Sequence, residues 1–288
     1  MTTRTWLITG ANSGFGRHLA SQLLSRGDRV AGTFRTAGSV DDLSGPGFRA
    51  YHLDVTDPAE ITAVVDQAFA DLGRIDVVVS NAGYGLMGAA EEMSDGQVEH
   101  QIATNLTGSI RLIRAALPHL RAQGGGRILQ LSSVGGQAAW PGGSLYHATK
   151  WGVEGFAEAL AGEVAPFGIG VTIVEPGGAR TNFRYGSSVL AARIPEYDGT
   201  PAAGVRRILT EQTTQGIGDP ALMATAMIAS VEQEPAPLRL VLGSDAAQAM
   251  EGALTARLAD VRSQREAAAT TDAPLTDAVT GSPADLND

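Results

Sequence analysis

The sequence predicts a single doubly wound α/β domain, with a parallel sheet of about seven strands and helices on both faces. Three observations carry that prediction. Short apolar or β-branched runs alternate with helix-length amphipathic segments along the chain. The first such run leads directly into a glycine-rich turn and a helix. Five turns rich in glycine, proline or polar residues each follow a strand, so they converge on the carboxyl edge of the sheet, where open α/β sheets bind ligands.

The first strand is the apolar run Trp6-Leu7-Ile8, followed by the turn Gly10 to Gly16 and a helix patterned by Leu19, Leu23 and Leu24. Further strands are read at 29–34, 49–53, Ile75 to Val79, Ile128 to Leu131, Val171 to Val174 and Leu238 to Leu242. Helices are read over Pro58 to Leu72 and over about 96–122, 145–165, 219–233 and 245–266. Asp57 suits an N-cap, and Pro58 suits the first helical position because its missing N–H would be unpaired there anyway. The domain is read as 1–266. The remainder, 267–288, carries four Asp, no Lys or Arg and two Pro, and reads as a disordered acidic tail.

Composition narrows the function. With 288 residues and 43% hydrophobic content, one sizeable core is expected. A net charge of −10 argues against nucleic acid or an anionic membrane as partner. There is no apolar run of about eighteen residues, and the first strand begins too early for a leader, so a cytoplasmic protein is expected. No cysteine is present, which excludes disulfides and thiolate chemistry, and the five His are scattered, so no metal site is expected.

The chemistry is concentrated in Tyr146 and Lys150. Four residues apart on a helix, they share one face, and a neighbouring ammonium favours the phenolate. The expectation is a Tyr lowered toward working pH as a general acid or base. The Gly10 to Gly16 turn would place backbone amides and the positive end of a helix against a phosphate. Its Gly-x-x-x-Gly-x-Gly spacing differs from the Gly-x-Gly-x-x-Gly dinucleotide fingerprint.

Together these segments resemble the short-chain dehydrogenase/reductase family, over nearly the whole chain to about residue 260. The family's Thr-Gly-x-x-x-Gly-x-Gly appears as Thr9 to Gly16, its Asn-Ala-Gly as Asn81-Ala82-Gly83, and its helix Asn as Asn105. Counting thirteen residues back from Tyr146 selects Ser133 over Ser132, and Pro-Gly-x-x-x-Thr follows as Pro176 to Thr181. Asn81 to Gly85 and Glu175-Pro176-Gly177 look most like the branch that includes 17β-hydroxysteroid-dehydrogenase-like reductases. The resemblance implies a Rossmann-type domain that binds NADP(H) and interconverts a carbonyl and an alcohol by hydride transfer.

It also implies residue roles. Tyr146 would protonate the substrate oxygen while Ser133 donates a hydrogen bond to it, an arrangement suited to developing negative charge. Lys150 would lower the Tyr146 pKa and hold the nicotinamide ribose. Asn105 would hold a relaying water, or else simply brace a helix. Gly10, Asn12, Ser13, Gly14, Phe15 and Gly16 would cradle the pyrophosphate. Asn81, Ala82 and Gly83 would pack the ribose or form a plain turn. Asp54, helped by the Val55 backbone, would accept from the adenine amino group or stabilise a turn. Pro176, Gly177 and Thr181 would face the nicotinamide. Arg35 stands just beyond Phe34, which replaces the acidic residue of NAD-dependent relatives, so a 2′-phosphate pairs there without repulsion; Arg17 either helps or is solvated. His147 and Trp151 read as structural. The substrate, a small hydrophobic ketone or aldehyde, would lie among Tyr84 to Met93, Val134 to Leu145 and a lid at 182–200. A homo-oligomer, dimer or tetramer, is expected. The competing readings are a catalytically silent NADP-binding sensor and an epimerase or dehydratase.

Overall fold

The structure is a computed structural model that describes residues 3–36, 43, 45–212 and 216–273. The compact unit Met1–Met250 holds the sheet. In chain order it contains β1 (Thr5–Thr9), α1 (Gly14–Ser25), β2 (Arg29–Phe34), β3 (Phe48–His52), α2 (Pro58–Leu72), β4 (Val77–Ser80), β5 (Gly85–Met87), α3 (Asp95–Ile102), α4 (Gly108–Ala122), β6 (Gly126–Leu131), α5 (Ser144–Val164), β7 (Ile169–Pro176), β8 (Ser188–Leu190), α6 (Ala203–Glu211), α7 (Pro220–Ser230), β9 (Arg239–Leu242) and the start of α8 (Ser244–Ser263). The second unit, from Glu251, comprises the rest of α8 and α9 (Arg265–Ala269). Of the segment read as an acidic tail, 267–269 complete α9 and 274–288 lie outside the described residues.

Seven strands form one sheet in the order β3-β2-β1-β4-β6-β7-β9. Every pairing is parallel: Leu7 is level with Ala31 and Val78, and Ile128 with Val171. A parallel sheet covered on both faces needs strands that are apolar at every position. The five residues of β1 are accordingly all buried. Side chains alternate between faces. Leu7, Ala31, Val78 and Ile128 pack with Ile61, Leu112 and Leu160 of α2, α4 and α5. Trp6, Ile8, Val30 and Val79 pack with Leu19, Leu23 and Met227 of α1 and α7. Each such side chain contributes roughly 1.5–3 kcal/mol by leaving water.

The strand order turns back on itself between β1 and β4. Beyond the carboxyl ends of these two strands the chain opens a crevice, and the turns after β1, β3, β4, β6 and β7 all emerge at that edge.

The α2 helix spans the expected residues. Asp57 accepts hydrogen bonds from the N–H groups of Ala59 and Glu60 at 2.8 and 3.1 Å, with Pro58 at the first position. The single helix read at 96–122 is instead α3 and α4 joined by a π turn over Ala103–Thr107. The junction is tightly packed: a Cβ on Gly108 would lie 2.5 Å from the Val55 carbonyl oxygen, so the start of α4 runs against the backbone that follows β3. Periodicity cannot register one extra residue in a turn. The sequence also gave no sign of α6 or of a second, two-stranded sheet in which β5 pairs in parallel with β8, Leu86 level with Val189.

Candidate active site

The turn after β1 is built by close approach. Gly10 adopts φ +68°, which side-chain-bearing residues rarely accept. A Cβ on Gly16 would lie 2.2 Å from the Gly10 carbonyl oxygen, so the start of α1 can sit against the turn only as glycine. Ser13 is the N-cap of α1 but makes no side-chain cap, and no acidic residue stands in the first turn. The helix therefore presents backbone N–H groups and positive potential to an anion. Ser13, Gly14, Arg17, His18, Arg180 and Thr181 line a cleft of about 390 Å³ beside this turn. The Phe15 side chain packs into the α1 side of the core. These features suit a dinucleotide pyrophosphate. Gly16→Ala is expected to weaken NADPH binding at least tenfold while leaving the circular dichroism spectrum unchanged, which fluorescence titration would read; unchanged affinity would remove this turn from the cofactor site.

Asn81, after β4, braces the turn. Its Nδ2 donates to the Thr9 and Gly10 carbonyl oxygens at 2.7 and 3.3 Å, and the Asn81 and Ala82 N–H groups both donate to Thr9 Oγ1. Gly83 lies under Asn105, whose Oδ1 would be 3.2 Å from a Cβ there. At the next strand end Arg35 follows β2 and is exposed. Its charge draws Asp54 and Tyr84 downward, although at Tyr84 burial outweighs it and the phenol lies above its usual value. Burial pushes Asp54 up, but the Thr56 hydrogen bonds and nearby Arg35 and His100 outweigh it, so the carboxyl lies below its usual range. Its Oδ1 accepts from the Thr56 N–H and hydroxyl at 2.9 and 2.7 Å, the turn-stabilising alternative. After β7, Gly177 donates to the Leu242 carbonyl at 2.8 Å and faces the Asp245 carboxylate, which accepts from the Gly178 N–H at 2.7 Å. Pro176 ends the strand, and Thr181 Oγ1 accepts from the Phe183 N–H at 3.3 Å.

The structure brings Tyr146, Lys150 and Ser133 together. Tyr146 and Lys150 lie one turn apart on α5, each 7% exposed, with Lys150 Nζ 5.8 Å from the Tyr146 ring centre. Ser133 caps the short helical turn Val134–Gly136, its Oγ accepting from the Gly135 N–H at 3.1 Å, and its hydroxyl draws the Tyr146 phenol downward in pKa. Ser132 points elsewhere, its hydroxyl donating to Glu154 Oε1 at 2.5 Å.

The expected lowering of Tyr146 is not found. Burial pushes the phenol up to about 12, with Ser133 pulling the other way. Lys150 cannot reverse this, because Nζ donates to the Leu131 carbonyl at 2.9 Å and burial holds the ammonium down to about 8, opposed by Glu154. Asn105 takes the bracing geometry. It sits in the π turn, 1% exposed, with Oδ1 accepting from the Tyr84 N–H at 3.0 Å and Nδ2 donating to the Tyr84 carbonyl at 2.8 Å and to Thr149 Oγ1 at 3.4 Å. His147 bridges the Gly135 carbonyl and the Trp140 N–H, at 2.9 and 3.3 Å. Burial lowers it, so at neutral pH the imidazole is neutral.

The three segments read as substrate walls are tied to one another. Beyond the β5 and β8 pairing, Gly88 donates to the Gly142 carbonyl at 2.9 Å. Buried Glu92 accepts from the N–H groups of Ala89 and Ile194 at 2.8 and 3.0 Å and from Arg206 of α6 at 3.0 Å. Glu92 and Arg206 escaped the sequence reading because they are 114 residues apart and belong to no motif. Phe183 brings its ring within 5.9 Å of Tyr146, giving the reacting position an apolar wall.

Among the described residues no cluster of acidic or His side chains could hold a metal, and no helix is long and apolar enough to cross a membrane. The family model described as short chain dehydrogenase matches residues 4–188. The oxidoreductase BOA17 of Botryotinia fuckeliana is 35% identical over 250 residues, 85% of this chain and 91% of that protein. The oxidoreductase calM of Penicillium decumbens is 34% identical over 280 residues, 92% of each. A crystal structure of a short-chain dehydrogenase from Streptomyces avermitilis superposes with a TM-score of 0.87 at 39% identity, covering 94% of this chain and 99% of that one. The chain therefore belongs to the short-chain dehydrogenase/reductase family and is an oxidoreductase of CH–OH groups that uses a nicotinamide cofactor.

Proposed function

We propose that the protein is an NADP(H)-dependent reductase that interconverts a hydrophobic ketone or aldehyde and the corresponding alcohol. The observation that carries this is the pairing of buried Tyr146 with Ser133, whose hydroxyl acts on the phenol, beside the Phe183 ring. A carbonyl oxygen seated there receives both hydrogen bonds, and as negative charge develops on it the Tyr146 proton passes to that oxygen. When bound, the nicotinamide supplies and accepts the hydride. The backbone amides from Gly10 to Gly16, with Asn12 and Ser13, hold the diphosphate. Arg35 takes the 2′-phosphate, Asp54 and Val55 border the adenine, and Asn81, Ala82 and Gly83 border the ribose. Lys150 holds the nicotinamide ribose, while Pro176, Gly177 and Thr181 orient the carboxamide. Asn105 positions Tyr84 and the α3–α4 junction, and its role in a proton path runs through that bracing.

The apolar character of the walls supports the substrate class: Phe183 and Tyr185 come from the segment 182–200, and Trp140 from Val134 to Leu145. The same reading takes the enzyme to act in the cytoplasm, on a small molecule, as a dimer or tetramer. The test is the initial rate of NADPH oxidation over a panel of apolar ketones, aldehydes, quinones and steroids. Turnover of at least one apolar carbonyl is expected. Tight NADPH binding with no turnover across the panel would favour the dinucleotide sensor instead.

A further inference from the structure

We propose that Glu154 is a positioning residue of this site: seated on Ser132 and Arg239, it supplies the negative charge that keeps Lys150 an ammonium and fixes the turn that carries Ser133. Its consequence for catalysis rests on the reductase reading; its effect on Lys150 does not.

The argument begins with geometry. Glu154 lies one turn beyond Lys150 on α5, on the same helix face, and is 3% exposed. Its Oε1 accepts from the Ser132 hydroxyl at 2.5 Å, and its Oε2 from Arg239 Nη1 at 2.7 Å and from Gln137. The partners come from two places, the turn after β6 and the start of β9. Ser132 precedes Ser133, Gln137 ends the turn that Ser133 caps, and Arg239 opens β9. A Cβ on Gly136 would stand 1.9 Å from Glu154 Oε1, so this turn is folded directly over the carboxylate.

Charge adds a second argument. Arg239 also donates to Glu175 at 2.5 Å, the residue before Pro176, and to half-exposed Glu158 at 2.5 Å. Two buried carboxylates thus share one guanidinium. A buried charge is tolerated only when paired. Burial and the charge of Glu154 push Glu175 up to about 7, so Glu175 takes up a proton near neutrality. Lys150, one turn back on the same face, is a cation on which the charge of Glu154 acts, and it is the sole lysine of the chain. Without Glu154, burial acts on Lys150 unopposed, and the ammonium is lost nearer neutral pH.

The single lysine makes the test direct. Protein labelled with carbon-13 lysine gives one ε-methylene signal, whose pH titration reports Lys150 alone. Glu154→Gln is expected to lower its midpoint by about one pH unit, the usual scale for removing a nearby opposite charge. Glu158→Gln, which touches the same guanidinium from the surface, is expected to leave it in place. Glu154→Met removes the charge with similar volume and serves if the amide variant does not fold. An unmoved midpoint in a folded Glu154 variant, or an equal fall in Glu158→Gln, overturns the proposal. Turnover is not needed for this readout, so failure of the reductase reading is seen separately. Where a substrate is found, the alkaline limb of kcat for reduction should move down with the lysine midpoint in Glu154→Gln; a rise in KM alone would show that the residue only shapes the pocket.

Discussion

Tyr146→Phe is expected to lower carbonyl reduction by about 10³-fold or more at pH 7, with NADPH affinity changed by no more than about twofold. The phenyl ring keeps the packing against Phe183, so the loss isolates one O–H. Held at about 12 by burial, the phenol carries its proton throughout the neutral range, which is the form reduction requires. The pH dependence follows with opposite signs for the two directions. Reduction stays flat through neutrality and declines as the phenol ionises. Alcohol oxidation needs the phenolate and rises with pH over the same span. Lys150, at about 8, loses its charge first, so the decline in reduction should begin near that pH. Stopped-flow rates for both directions between about pH 6 and pH 10 would show these opposed limbs. Residual activity near the native level in Tyr146→Phe would mean that another group protonates the oxygen, and the assignment of the donor would fall.

Much of this site was readable from the chain. The glycine turn, Asn81, Ser133, Tyr146, Lys150 and Pro176 lie in short contiguous motifs, and a parallel sheet delivers strand ends to one edge wherever the helices cross. Choosing Ser133 over Ser132 by spacing agrees with the hydroxyl placement, since the neighbouring hydroxyl turns to Glu154. What the sequence concealed was long-range or a matter of burial. The Glu92 and Arg206 pair joins segments that carry no local signal, and the β5 and β8 pairing depends on two three-residue strands. The Tyr146 pKa moves opposite to the expectation for a physical reason. Spacing on a helix gives proximity to a cation but says nothing of desolvation, and a buried cation is itself weakened. Asn105 illustrates the same limit, because only the fold reveals that both ends of its amide are engaged by Tyr84.

Arg35→Asp is expected to shift the preference for NADPH over NADH, measured as the ratio of kcat/KM values, by about 10²- to 10³-fold toward NADH. Two effects add. Losing a charge-assisted, two-pronged hydrogen bond to a phosphate removes roughly 1.5–3 kcal/mol, and a carboxylate in its place repels the phosphate while accepting from ribose hydroxyls. At 1.4 kcal/mol per tenfold, a combined difference of about 3–4 kcal/mol gives the stated range. The location supports the size of the effect. Arg35 stands one residue past the end of β2, beside the switch between β1 and β4, and its field already reaches Asp54 and Tyr84. Phe34 offers no carboxylate to compete for the phosphate or hold the ribose. Because the residue is exposed, the substitution should leave the thermal midpoint within about 2 °C, which separates a cofactor effect from a folding one. Arg35→Leu should give a smaller shift, since it removes pairing without adding repulsion, and the ordering native, Leu, Asp in NADPH preference is the signature of charge. An unchanged ratio in both variants would assign the 2′-phosphate to other basic residues at the cleft, with Arg17 the first to replace.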